Sequence, residues 1–87
     1  MVGDTHLLYA IHVLDRMKDA PKVQQIFSEY GCHIKTRVGF HEVKGDFCSP
    51  GGVIILEMFG DPAPCAELKE KLSTIDGLEV QEIRFSH

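Results

Sequence analysis

Residues 31–59 read GCHIKTRVGFHEVKGDFCSPGGVIILEMF, and the fold turns on how this stretch is divided. It predicts a β-hairpin of two unequal strands with a break over KGDFCSP (44–50). In the first arm Ile34, Thr36, Val38 and Phe40 alternate with Lys35, Arg37, Gly39 and His41, the period-two pattern of a strand with one buried face. In the second, Val53, Ile54, Ile55 and Leu56 are apolar without alternation, which predicts cover on both faces. One layer of helices covers only one face, and a second copy of the chain is the simplest cover for the other.

Upstream, His6 to Val13 is strand-like, with Leu7, Tyr9, Ile11 and Val13 on one face. Asp15 or Asp19 can cap the helix that follows, and Pro21 suits an early turn. Ala20, Val23, Ile26, Phe27 and Tyr30 mark its apolar stripe, and Gly31 suits its end. Downstream, Asp61 is placed to cap a second helix. Cys65, Leu68, Leu72 and Ile75 fall on one face at spacings of three and four, and Gly77 stops the helix. Leu78 to Phe85 is a last strand, with a bulge or change of face expected at Gln81-Glu82.

The order β-α-β-β-α-β with right-handed crossovers predicts an α+β, ferredoxin-like sandwich. Its four-stranded antiparallel sheet runs in spatial order 4-1-3-2 with two helices on one face, and residues 1–87 form a single domain. Seating Val38 and Phe40 on the helix side with Ile54 and Leu56 sets Arg37 opposite Glu57, Gly39 opposite Ile55 and His41 opposite Val53. The open face then carries Leu8, Val53, Ile55, Glu57 and Phe59, an apolar centre with a charged surround. That composition predicts an interface in a homo-oligomer, a dimer or tetramer.

With 44% hydrophobic and 25% charged residues the 87-residue chain is globular rather than disordered. A net charge of −4 and scattered basic residues speak against a direct grip on nucleic acid. No run approaches membrane-spanning length, and the N-terminus lacks the basic region of a signal peptide, so a cytoplasmic protein is expected. Three cysteines without a C-x-x-C pair argue against a disulfide scaffold. Cys32 and Cys65 read as small core residues.

No catalytic set emerges: no nucleophile with a placed base and no paired carboxylates, so an enzyme is not expected. Arg37 suits the carboxylate or phosphate of a small ligand, and equally an ion pair with Glu57. His41 and Cys48 suit zinc or nickel, and equally an edge histidine and a loop thiol. Gly45, Pro50, Gly51 and Gly52 suit a hairpin turn or an anion cradle.

At I-K-T-R-x-G-x-H-E (34–42), C-S-P-x-G (48–52) and the closing GLEVQEIRF, the sequence resembles the iron-only hydrogenase system regulators, a family of small bacterial proteins. The match covers about residues 8–85. These proteins look like ACT-type or nickel-repressor C-terminal domains, ferredoxin-like sensory modules that oligomerise through their sheets. The resemblance implies a regulatory role and a signature of Arg37, Gly39, His41, Glu42, Cys48, Ser49 and Pro50. It places ligand binding at Arg37, Gly39, His41, Cys48 and Ser49, with His41 and Cys48 the positions that match metal ligands. Nickel repressors carry a DNA-binding arm ahead of the sensor, whereas this chain starts its first strand at once. Any action on transcription is therefore expected to run through a protein partner. The expectation is a small-ligand-sensing regulatory domain that works by homo-oligomerisation. The alternative is a metal-binding or metal-delivery protein using His41 and Cys48. No cofactor is assigned.

Overall fold

The computed structural model describes the backbone of residues 5–44 and 47–86, and side chains at 6–15, 17–40 and 51–86. The elements are β1 (Thr5–Val13), α1 (Arg16–Glu29), a 3-10 turn (Gly31–His33), β2 (Ile34–Lys44), β3 (Phe47–Met58), α2 (Pro62–Ser73) and β4 (Leu78–Ser86). All neighbouring strands pair antiparallel, in the order β2-β3-β1-β4. This is the expected ferredoxin-like βαββαβ sandwich.

In β1 every second residue, Leu7, Tyr9, Ile11 and Val13, is buried beneath the helices. Helix α1 contributes Val23 and Phe27, its C-terminal cap contributes Tyr30, and α2 contributes Cys65, Leu68 and Leu72, with Leu56 and Met58 entering from β3. Both helices meet the sheet with a stripe at spacings of three and four, as the pattern required.

Asp15 settles where α1 begins. Its carboxylate accepts from the backbone N–H groups of Met17 (3.1 Å) and Lys18 (3.3 Å), satisfying two donors that the helix itself cannot. Pro21 therefore lies inside the helix, where the carbonyl it leaves without a partner is only the second of the helix. Asp61 holds the cap position of α2, yet its side chain makes no capping bond, and Pro62 fills the first helical position.

Two expectations about the strands are corrected. The first is the bulge at Gln81-Glu82: β4 pairs with β1 over nine consecutive residues, Thr5↔Ser86 to Val13↔Leu78, without a shift. Glu82 can face the helices because Lys69 of α2 (3.3 Å) and Arg84 (2.9 Å) both donate to it. The second is the break at 44–50. β2 runs to Lys44 and β3 starts at Phe47, so Cys48 lies on a strand opposite Val43. The pairing is irregular between His41 and Val43, and Pro50 falls within that irregularity, where a missing donor is tolerated. Gly45 lies outside the described residues.

Tyr9 shows how the core handles a polar tip. Its ring is buried, and its hydroxyl donates to the Cys65 carbonyl at 2.9 Å. Burial, with the Glu82 charge second, pushes its pKa up from 10.0 to about 12. Because the folded pKa is the higher one, this contribution to stability is complete below pH 10 and is lost as pH rises from 10 to about 12. Tyr9→Phe is expected to flatten that alkaline decline in urea midpoints measured at stepped pH. An unchanged slope would contradict the assignment.

Candidate functional site

The hairpin β2–β3 carries most of the residues that the sequence singles out, and its register decides which of them meet. The observed pairs are Ile34↔Met58, Thr36↔Glu57, Arg37↔Leu56, Val38↔Ile55, Gly39↔Ile54, Phe40↔Val53 and His41↔Gly52. Lys35 is an extra residue between the first two, a one-residue bulge that shifts everything after it to the opposite face. Arg37 therefore does not stand opposite Glu57, nor Gly39 opposite Ile55, nor His41 opposite Val53. Arg37 and Gly39 are on the helix side, while Thr36, Val38 and Phe40 are on the open side.

The expected ion pair between Arg37 and Glu57 is replaced by other contacts. Glu57 accepts from His6 Nε2 at 2.6 Å and Thr36 Oγ1 at 2.9 Å, with Lys35 Nζ at 4.0 Å. The His6 hydrogen bond, then that from Thr36, holds its carboxyl below the usual carboxylate range. The Arg37 guanidinium lies over the Phe27 ring of α1, 4.9 Å from the centroid, an arrangement that combines cation–π attraction with cover for the ring.

Beside Arg37 on the helix side the sheet is uncovered. A Cβ built on Gly39 meets nothing within 4 Å. A groove of about 250 Å³ opens there between α1 and the hairpin, walled by Val13, Ala20 and Val23 and floored by Gly39, Gly52 and Ile54, with Gln24 at its rim. Arg37 sits two residues along the strand from Gly39, on the same face. Of the proposed ligand residues, Gly39 lines this groove, while Arg37 shares its face of the strand with its guanidinium over Phe27. The backbone positions of His41, Cys48 and Ser49 are on β2 and β3, and their side chains lie outside the described residues. Among the described residues no group of three or more His, Cys, Asp or Glu is placed to hold a metal ion.

The open face carries Leu8, Ala10, Val53, Ile55 and Glu57 on the central strands, as expected for Leu8, Val53, Ile55 and Glu57. Phe59 follows one residue after β3 and is half-exposed. The register adds four residues that sequence reasoning missed, and all are large and open to solvent: Val38 (45% exposed), Phe40 (55%), Ile83 (44%) and Phe85 (49%). Ile83 and Phe85 were legible from the alternation of β4, read without a bulge. Val38 and Phe40 were not, because nothing in the residues themselves marks Lys35 as an insertion.

Cys32 is exposed in the 3-10 turn rather than in the core, whereas Cys65 is buried as expected. Burial pushes the Cys65 thiol pKa up, which makes it an inert packing group.

No protein-family model matches the chain, and no curated protein matches it either. Among solved structures it is similar to the uncharacterized protein TM1266 from Thermotoga maritima, at 25% identity and a TM-score of 0.79 over 93% of this chain and 96% of that one. It is similar in fold to CPII, a nitrogen regulatory PII-like protein from Thiomonas intermedia K12 bound to ADP, AMP and bicarbonate. There the identity is 12% and the TM-score 0.57, over 95% of this chain and 94% of that one. Foldit4, a de novo designed protein, matches at 12% identity with a TM-score of 0.54, covering 95% of this chain and 97% of the design. A design matches about as well as a regulator does, so these likenesses speak to the ferredoxin-like architecture alone. No helix among the described residues is long and apolar enough to cross a membrane.

Proposed function

We propose that this protein is a small-ligand-sensing regulatory domain of the cytoplasm that acts by binding rather than catalysis and signals through homo-oligomerisation. The observation that carries the reading is the orientation of edge strand β2. Its apolar residues Val38 and Phe40 face away from the chain's own helices, while Arg37 and Gly39 face toward them. A strand serving only a monomer's core would be turned the other way, so the open face is read as the surface that meets a second copy. The groove beside Arg37 lies on the reverse side of the same hairpin. A ligand held there shifts assembly only by the difference in its affinity for the two states.

An anionic ligand fits this reading, with Arg37 as the receptor group, because a planar guanidinium pairs a carboxylate or phosphate through two hydrogen bonds. The motif resemblance supports a role in a hydrogenase system, exerted through a partner protein.

The test is a thermal-shift panel of small anions, nucleotides, nickel and zinc, read together with sedimentation. A ligand that stabilises the wild type is expected to raise Tm and to change the sedimenting mass, and Arg37→Gln is expected to abolish both responses to an anion. Val38→Asp is expected to leave the circular dichroism unchanged and to lower the sedimenting mass relative to the wild type. A stable single-chain wild type at high concentration sinks the assembly, and a response to nickel or zinc alone sinks the anionic ligand.

A further inference from the structure

The two edges of the sheet are built differently. The β2 edge is interrupted twice, at Lys35 and between His41 and Val43, and such irregularities discourage another strand from adding on. The β4 edge has none. It is nine residues long, LEVQEIRFS, with no Pro or Gly, and it pairs with β1 in unbroken register. Its outer row of backbone groups is thus a regular, extended template.

The geometry points to this edge as a second self-association surface, on which β4 pairs antiparallel with β4 of another copy across a two-fold axis through Ile83, making one eight-stranded sheet. The inference is independent of the open-face reading. A two-fold axis perpendicular to the sheet keeps both helix layers on one side, so only residues of the same face can stand opposite each other, and the admissible registers differ by whole steps. Centring on Glu82 sets two carboxylates against each other, and centring on Arg84 sets two guanidinium groups against each other. Centring on Gln81 places Ile83 against Glu79, and centring on Val80 places Leu78 against Glu82. Centring on Ile83 sets Ile83 against its own copy on the open face, and Glu82 against Arg84 of the other copy twice over on the helix face. Cross-strand neighbours of opposite charge stabilise such a pair, and like charges oppose it.

Within one chain Arg84 Nη2 already donates to Glu82 at 2.9 Å, so both groups are held on the helix face at the edge where the other copy would meet them. The pairing also joins two apolar faces, adding Ile83 and Phe85 of each copy to one continuous surface.

Charge reversal by mixing tests the register. Glu82→Arg alone and Arg84→Glu alone each place like charges across the axis, and each is expected to halve the sedimenting mass relative to wild type with circular dichroism unchanged. An equimolar mixture of the two variants places Arg against Glu at both positions and is expected to restore the wild-type mass. Changes in contacts within one chain cannot produce restoration on mixing. Two variants that each keep the wild-type mass would overturn the edge pairing while leaving association through the open face intact. Failure of the mixture to recover, or a wild type that is a single chain throughout, would overturn it as well.

Discussion

Leu56→Ala is expected to destabilise the fold by about 3 to 4 kcal/mol, a cost typical of a fully buried leucine that leaves a cavity. Leu56 has no exposed surface and stands opposite both Tyr9 of β1 and Arg37 of β2, in the middle of the helix-side layer. It is one of a dozen buried apolar side chains among the described residues, and a small domain's core has few atoms with which to refill the space. For a domain of this size each kcal/mol moves the midpoint by roughly 4 to 8 °C, so a fall in Tm of at least about 12 °C is expected by calorimetry. Ile55→Ala, one residue away on the open face and only half-buried, is the matched control and should cost markedly less in a single chain. Equal losses at the two positions would contradict the assignment of faces in β3.

Gly60→Ala is the second large effect. Gly60 has φ of +95°, and a Cβ there lies 2.9 Å from His33 Nδ1, in a site closed by the Phe59 N–H bond to the His33 carbonyl at 2.7 Å. The backbone conformation alone costs an L-residue roughly 1 to 2 kcal/mol, and the contact adds to it, because His33 Nδ1 is itself hydrogen-bonded to the Phe59 carbonyl. The sum is about 2 to 3 kcal/mol, seen as a lower urea midpoint at constant slope. Gly77 separates the two contributions. Its φ is +91°, but nothing lies closer than 3.5 Å to its added Cβ, so Gly77→Ala should show the backbone cost without the collision. Introducing His33→Ala alongside Gly60→Ala should bring the loss at Gly60 down to the level at Gly77. If it does not, the imidazole is not the obstacle.

The architecture was legible because its signals are redundant. β1 alternates over Leu7 to Val13, both helices carry stripes of period 3.6, and the connections allow few arrangements of four strands. The candidate site was legible only in part. Arg37 and Gly39 do share a face of β2, but their partners were misplaced. The reason is specific: the side chains of Ile34, Thr36, Val38 and Phe40 alternate perfectly in sequence, while the bulge at Lys35 changes face between Ile34 and Thr36. Periodicity reports which residues share a face, and only pairing with β3 reports which face it is. The ends of the hairpin were hidden for a related reason: Pro50, Gly51 and Gly52 look like a turn, yet an irregular strand can hold them too.

The bulge at Lys35 also governs how the hairpin tolerates changes of length. Pairing with β3 fixes the faces of residues 36–41, and Lys35 is the surplus residue that Ile34↔Met58 and Thr36↔Glu57 leave between them. A one-codon deletion there would close the kink and keep Val38 and Phe40 turned outward, so it would straighten the sheet's border without making the exterior any less adhesive.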